Sequence, residues 1–232
     1  MAKVKAVSNA GAKGLKMMRD EAARLGATTM YSASQAAKAL ENLTRNGLDA
    51  RKATKALSKV LELAGANAIE LAEAADIVTN TMNMFGLEIE DLNKVNDVLS
   101  KTTASSATNI TDLYEALKYA APTAALFGIK IEEVNAALGV LANRGVKGSQ
   151  AGTTLRSILT SLIKPSAEAA SLLKQLGIDE VSIKLEGFAK TLDRLKGLSV
   201  TAYSTIFGER FGGYAATLID DNELTKSLTN TL

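Results

Sequence analysis

The sequence predicts an all-α protein, a compact multi-helix bundle of about nine to thirteen helices joined by short Gly/Ser turns. Three observations point there. Ala and Leu, which head the helix-propensity ranking, dominate the composition, and only two prolines interrupt 232 residues. Apolar positions recur at three-to-four spacing, and the breaks between them fall at Gly or at residues that cap helices. Apolar residues make up 47% of the chain, enough for a core, although aromatics are only 4% and Trp is absent.

Taken in order, a basic helix spans about Ala12 to Leu25 and stops at Gly26. Ser32 or Ser34 caps a helix from Ala36 to Asn46 that stops at Gly47, and Asp49 caps Arg51 to Leu63. Ile69 to Phe85 follows, stopping at Gly86, and then Glu90 to Thr103 with Leu92, Val95, Val98 and Leu99 as its stripe. Thr111 caps a helix to about Leu126 that either kinks or breaks near Pro122. Ile131 to Asn143 and Ser149 to Ile163 flank the loop Arg144-Gly-Val-Lys-Gly148, with Ser149 as a cap. Ser166 caps a helix to Leu176 closed by Gly177. In 178–186, Val181, Ile183 and Leu185 alternate, which suits a short extended piece. Shorter helices then cover about Phe188 to Leu195, Thr201 to Phe207, Gly212 to Ile219, and Asn222 to the end.

An internal echo occurs at an offset of 98 residues: Ala39, Leu40, Leu43, Gly47, Ala53, Leu57 and Leu61 match Ala137, Leu138, Leu141, Gly145, Ala151, Leu155 and Leu159. A second, at 42, pairs Phe85-Gly86-Leu87 with Phe127-Gly128-Ile129. Both fit either duplication or the shared grammar of helical hairpins.

Net charge is +2, so no general pull toward nucleic acid or anionic membrane is expected. The distribution is uneven. Leu61 to Asn93 carries seven acidic residues and no basic one, whereas Leu138 to Lys164 carries four basic residues and no acidic one. Solvated helix faces account for this, as would complementary packing within the chain or between copies. Without Cys there are no disulfides or thiolate metal sites. No signal peptide is visible, and uncharged runs such as Ile77 to Leu87 fall short of the roughly 20 residues of a membrane span.

The absence of both His and Cys removes the commonest general base and the strongest nucleophile. Ser161-Leu-Ile-Lys164 and Ser171-Leu-Leu-Lys174 match Ser-x-x-Lys, but the Ser-Asp-Asn and Lys-Thr-Gly partners do not occur. Gly145-Val-Lys-Gly148-Ser-Gln-Ala-Gly152 opens a helix and carries Lys147, as an anion site would, yet it lacks a P-loop ending. The structural reading gives Gly145 the left-handed C-cap position and uses Gly152 for close approach of a neighbouring helix. Glu132-Glu133 and Glu90-Asp91 fall in first turns, where the helix dipole favours acids. The sequence therefore predicts no enzyme, no catalytic, cofactor-binding or metal residue, and no cofactor.

Asp112-Leu-Tyr-Glu-Ala-Leu-Lys-Tyr-Ala-Ala-Pro-Thr-Ala-Ala-Leu-Phe-Gly128 and Glu132-Glu-Val-Asn-Ala-Ala-Leu-Gly-Val-Leu-Ala-Asn-Arg-Gly145 through Arg156 resemble the core region of phage tail tape-measure proteins of the siphophage and prophage type. Ala23-Arg-Leu-Gly-Ala-Thr-Thr29, Glu73-Ala-Ala-Asp-Ile-Val-Thr-Asn80, Leu176-Gly-Ile178 and Ile206-Phe-Gly208 follow the same family's order. The resemblance implies a virion structural protein, present in several copies in the tail lumen. Its partners would be itself, the tail-tube protein, tail assembly chaperones, and distal tail or baseplate proteins. Its role would be to scaffold tube polymerisation in the host cytoplasm, set tail length and leave ahead of the DNA. Neither specific nucleic-acid binding nor a membrane span is expected in this segment.

Family members are usually much longer, so the chain reads as an excised fragment. Residues 1–177 are expected to form the family's main helical core, and 178–232 shorter helices packed on it or leading toward a coiled coil. As one helix, 232 residues would extend about 350 Å, and the repeated Gly stops argue against that ruler-like form. The competing reading is a helical protein-binding adaptor without a phage role, which would need a regular repeat of about 30–45 residues.

Overall fold

Several helices start at a residue whose side chain accepts from the free N–H groups of the first turn, as a computed structural model of residues 1–8 and 10–232 shows. Ser32 caps α3 (Ala33–Arg45) in a capping box with Gln35, and Asp49 accepts from Arg51 and Lys52 at the start of α4 (Ala50–Asn67). These follow α1 (Ala2–Val7) and α2 (Ala12–Thr28). Next come α5 (Leu71–Phe85), a 3-10 turn at Ile89–Asp91, and α6 (Leu92–Ser105). The remainder is α7 (Ile110–Leu126), α8 (Ile131–Asn143), α9 (Gly148–Ile163), α10 (Ala167–Gln175), α11 (Glu180–Glu186), α12 (Phe188–Arg194), α13 (Val200–Phe207), α14 (Glu209–Asp220) and α15 (Asn222–Thr231). Among the described residues there are fifteen α-helices and no strand, so the protein is all-α.

Four expectations need correction. The α7 cap is Asn109, whose side chain accepts from the Asp112 N–H, and Thr111 lies inside the first turn. Lys147, not Ser149, occupies the N-cap of α9. Gly26 does not end α2, which continues to Thr28: a Cβ on Gly26 would stand 2.4 Å from the Ala33 backbone nitrogen, so this glycine serves close packing. Residues 178–186 are not extended; Asp179 caps α11 through the Ser182 N–H, and Ser182 answers the Asp179 N–H. That helix and α1 bring the count above the expected range.

The chain forms two units, Met1–Ser100 and Lys101–Leu232, with the division inside α6. In the first unit α3 is the central helix, with Ala36, Ala39, Leu40 and Leu43 fully buried against α1, α2, α4 and α5. Polar ties fix the α3–α5 register: the Asn42 side-chain amide donates to the Ala72 carbonyl at 3.0 Å and to Asp76 at 2.8 Å. Asn46 donates to Asp76 at 2.9 Å and to Thr79 at 2.8 Å.

In the second unit, α8 is buried along nearly its whole length, between α7, α9, α14 and α15. The α7 helix continues through Pro122. It meets α9 most closely at Gly152, where a Cβ would stand 2.1 Å from the Ala116 carbonyl oxygen. The C-terminal helices pack back on this pair: α13 and α14 touch α9, and α15 lies along α8.

Candidate functional site

The α8–α9 turn is the strongest sequence candidate, and its geometry is that of a helix stop. Gly145 sits at φ 84° and the Val146 N–H returns to the Leu141 carbonyl at 2.9 Å, closing the end of α8. Lys147 is exposed and makes no side-chain cap. The Asp112 carboxylate stands beside Gly148, 3.5 Å from where a Cβ would lie, which disfavours an anion at this helix start. Arg144, preceding the turn, grips Asp221 with two bonds of 2.8 Å, and the pairing raises the Arg144 pKa.

The other candidates scatter. No hydrogen bond joins Ser161 to Lys164 or Ser171 to Lys174 among the described residues, and Lys164, Ser171 and Lys174 are exposed. Asp91 caps its own turn by accepting the Glu88 N–H at 3.1 Å. Glu133 has two structural tasks: it accepts the Lys130 N–H at 3.3 Å within α8, and the Phe188 N–H at 2.7 Å. The second bond caps α12, whose own N-cap is Gly187 and has no side chain. The structure thus places the first-turn acids on helix ends and does not bring them together as a catalytic pair. Among the described residues, no group of three or more His, Cys, Asp or Glu side chains is placed to hold a metal.

Two features were not foreseen. The first is a polar cluster joining α12 to α15. Asp193 pairs with Lys196 at 2.9 Å and with Lys226 at 2.6 Å, and the buried Asn222 amide donates to it at 2.8 Å. Burial alone would raise the Asp193 carboxyl, but Lys226, Lys196 and Asn222 outweigh it and lower the pKa to about 2. Only Lys196 is a sequence neighbour of Asp193; Asn222 and Lys226 lie 29 residues or more away and leave no local pattern to read. The second is an open groove of about 880 Å³ in the first unit, lined by Gly14, Met17, Ala50 and Thr54 among others. Along its wall Lys16 pairs with Asp20, and Arg24 with Glu21, whose carboxyl is lowered mainly by that bond.

Most charged side chains of the two charge-biased stretches are exposed, as solvated helix faces would be, and a few tie helices within their own unit. From the acidic one, Asp76 holds Asn42 and Asn46; from the basic one, Arg144 holds Asp221 and Arg156 lies 6.0 Å from the Tyr119 ring centre. Polar groups here tie helices together rather than converge on a reacting centre.

Comparison with known proteins agrees with this structural use of polar groups. The family model of phage-related minor tail proteins matches residues 19–214, most of both units. The chain belongs to the phage-related minor tail protein family. This minor tail protein is 32% identical over 178 residues to the tape measure protein of Pneumococcus phage Dp-1, a match covering 77% of the chain. It is a tail tape-measure region, and the alignment spans 16% of that relative's length. No solved structure matches it. Its place is the phage tail and its role there structural. Among the described residues, no helix is long and apolar enough to cross a membrane.

Proposed function

We propose that this segment is a folded assembly module at one position along a tape-measure protein, without catalytic activity. Copies of the full protein lie in the growing tail tube. Tube protein polymerises around them with chaperone help in the host cytoplasm, and their extended parts set the tail's length. On infection the protein leaves the tube ahead of the DNA and toward the distal tail.

The observation that carries this reading is the family match over both units, joined to their geometry. A ruler gains length at about 1.5 Å per residue as a continuous helix. Among the described residues the longest helix has 18 residues, and Gly47, Gly86 and Gly145 reverse or stop the chain in left-handed conformations. Family membership also favours this role over an adaptor unrelated to phage. The position in the tube is tested by inserting an epitope at the exposed Gly197 turn of the phage protein and labelling virions with gold-conjugated antibody. Intact tails without label, with the epitope becoming reachable at the tail tip or in the medium once DNA is ejected, are the expected result. Labelling along the outside of intact tails would overturn the lumen placement.

A further inference from the structure

We infer that α2–α3–α4 and α7–α8–α9 are two copies of one three-helix module, duplicated in tandem at 98 residues. Adding 98 to the bounds of α2, Ala12–Thr28, gives Ile110–Leu126, which is α7. The same shift carries α3, Ala33–Arg45, onto α8, Ile131–Asn143, and the start of α4 at Ala50 onto the start of α9 at Gly148.

The correspondence extends to individual bonds. The Leu48 N–H returns to the Leu43 carbonyl at 3.1 Å, and Val146 returns to Leu141 at 2.9 Å. Opening bonds match likewise: Leu15 to Gly11 with Leu113 to Asn109, and Ala53 to Asp49 with Ala151 to Lys147. Gly47 and Gly145 both have positive φ. The buried stripes coincide too, with Ala39, Leu40, Leu43, Ala53 and Leu57 above Ala137, Leu138, Leu141, Ala151 and Leu155.

Shared hairpin grammar would repeat a helix and a Gly stop, as the 42-residue echo does at Gly86 and Gly128. It has no reason to bring equivalent residues of non-adjacent helices together. Yet a Cβ on Gly14 would lie 3.0 Å from the Ala50 Cβ, and at the equivalent pair a Cβ on Gly148 would lie 3.5 Å from the Asp112 Oδ1. Asn46 and Arg144, again equivalent, each anchor a later helix through an aspartate, Asp76 and Asp221. The copies differ where Gly152 lets α9 meet α7. The first copy has Thr54 there and the open groove beside it.

The chain has no cysteine, so introduced thiols report only on chosen pairs. In the full chain, Gly14→Cys with Ala50→Cys and Asp112→Cys with Gly148→Cys should each form an intramolecular disulfide under mild oxidation. The displaced pair Thr111→Cys with Gly148→Cys, turned about 100° around the helix, should stay reduced. Because Gly148 has φ 55° and resists a side chain, the same register is also read on exposed sites that tolerate one. Spin labels at Lys13 and Arg51, and separately at Thr111 and Ser149, should give overlapping distance distributions. Non-overlapping distributions, or a bridge confined to one module in chains that circular dichroism shows to be folded, would overturn the duplication.

Discussion

Gly152 of α9 rests directly on the Ala116 carbonyl of α7, with a virtual Cβ only 2.1 Å from that oxygen. No rotamer relieves such a contact, because the clash is with backbone. Gly152→Val is therefore expected to lower stability by about 3 kcal/mol or more, read as a fall in denaturation midpoint. Gly65 of α4 is the control, since a Cβ there meets nothing within 4 Å. Gly65→Ala should raise stability by about 0.5–1 kcal/mol. Equal effects of the two substitutions would contradict the close α7–α9 contact.

Gly145 poses the opposite case. Its surroundings are open but its φ is 84°, so a substitution costs backbone strain alone. Gly145→Val should cost about 1–3 kcal/mol, whereas Lys147→Ala in the same turn should change stability by less than about 0.5 kcal/mol. Thermal melts separate these. A damaging Lys147→Ala beside a silent Gly145→Val would make the turn a charge-dependent contact instead of a helix stop.

Glu133 supplies the cap that Gly187 cannot. Glu133→Ala is expected to cost about 1–2 kcal/mol, and Glu133→Gln much less because an acceptor oxygen remains. Amide hydrogen exchange should show the loss at Phe188. Unchanged protection there would remove Glu133 from the α12 cap.

The Asp193 cluster sets a pH dependence. Its carboxyl titrates near 2 when folded and near 3.8 in its ordinary state, so the unfolded chain takes up the proton first. The stabilisation is fully present above about pH 4 and is lost as pH falls through about 2. Asp193→Asn should lower the melting temperature at neutral pH. Its deficit relative to the parent chain should shrink between pH 4 and 2. A deficit constant across that window would show that ionisation of Asp193 is irrelevant to the α12–α15 contact.

Local signals are legible in this sequence and distant ones are not. Ile131–Asn143 is legible to the residue because a first-turn acid pair opens it and a left-handed glycine closes it. Gly26 was misread because a packing glycine and a stop glycine look alike until Ala33 is seen against it. The alternation at Val181, Ile183 and Leu185 suggested a strand. In α11 it buries Ile183 and leaves Val181 and Leu185 exposed, and Asp179 with Ser182 decides for helix. Gly152 was legible as a close-approach residue, but its partner Ala116 was not. The Asp193 cluster and the groove beside Thr54 depend on contacts between separate helices, so no spacing in the sequence announces them.

The central claim, that this segment is a folded module needed for tail assembly and not a stretch of ruler, is tested by removing it. The segment would be deleted in frame from the phage gene that carries it, and tails measured by electron microscopy. Loss of intact tails is the result expected. Intact tails of unchanged length would contradict the assembly role. Intact tails shortened by about 350 Å, the length of 232 residues as one continuous helix, would make the segment part of the ruler.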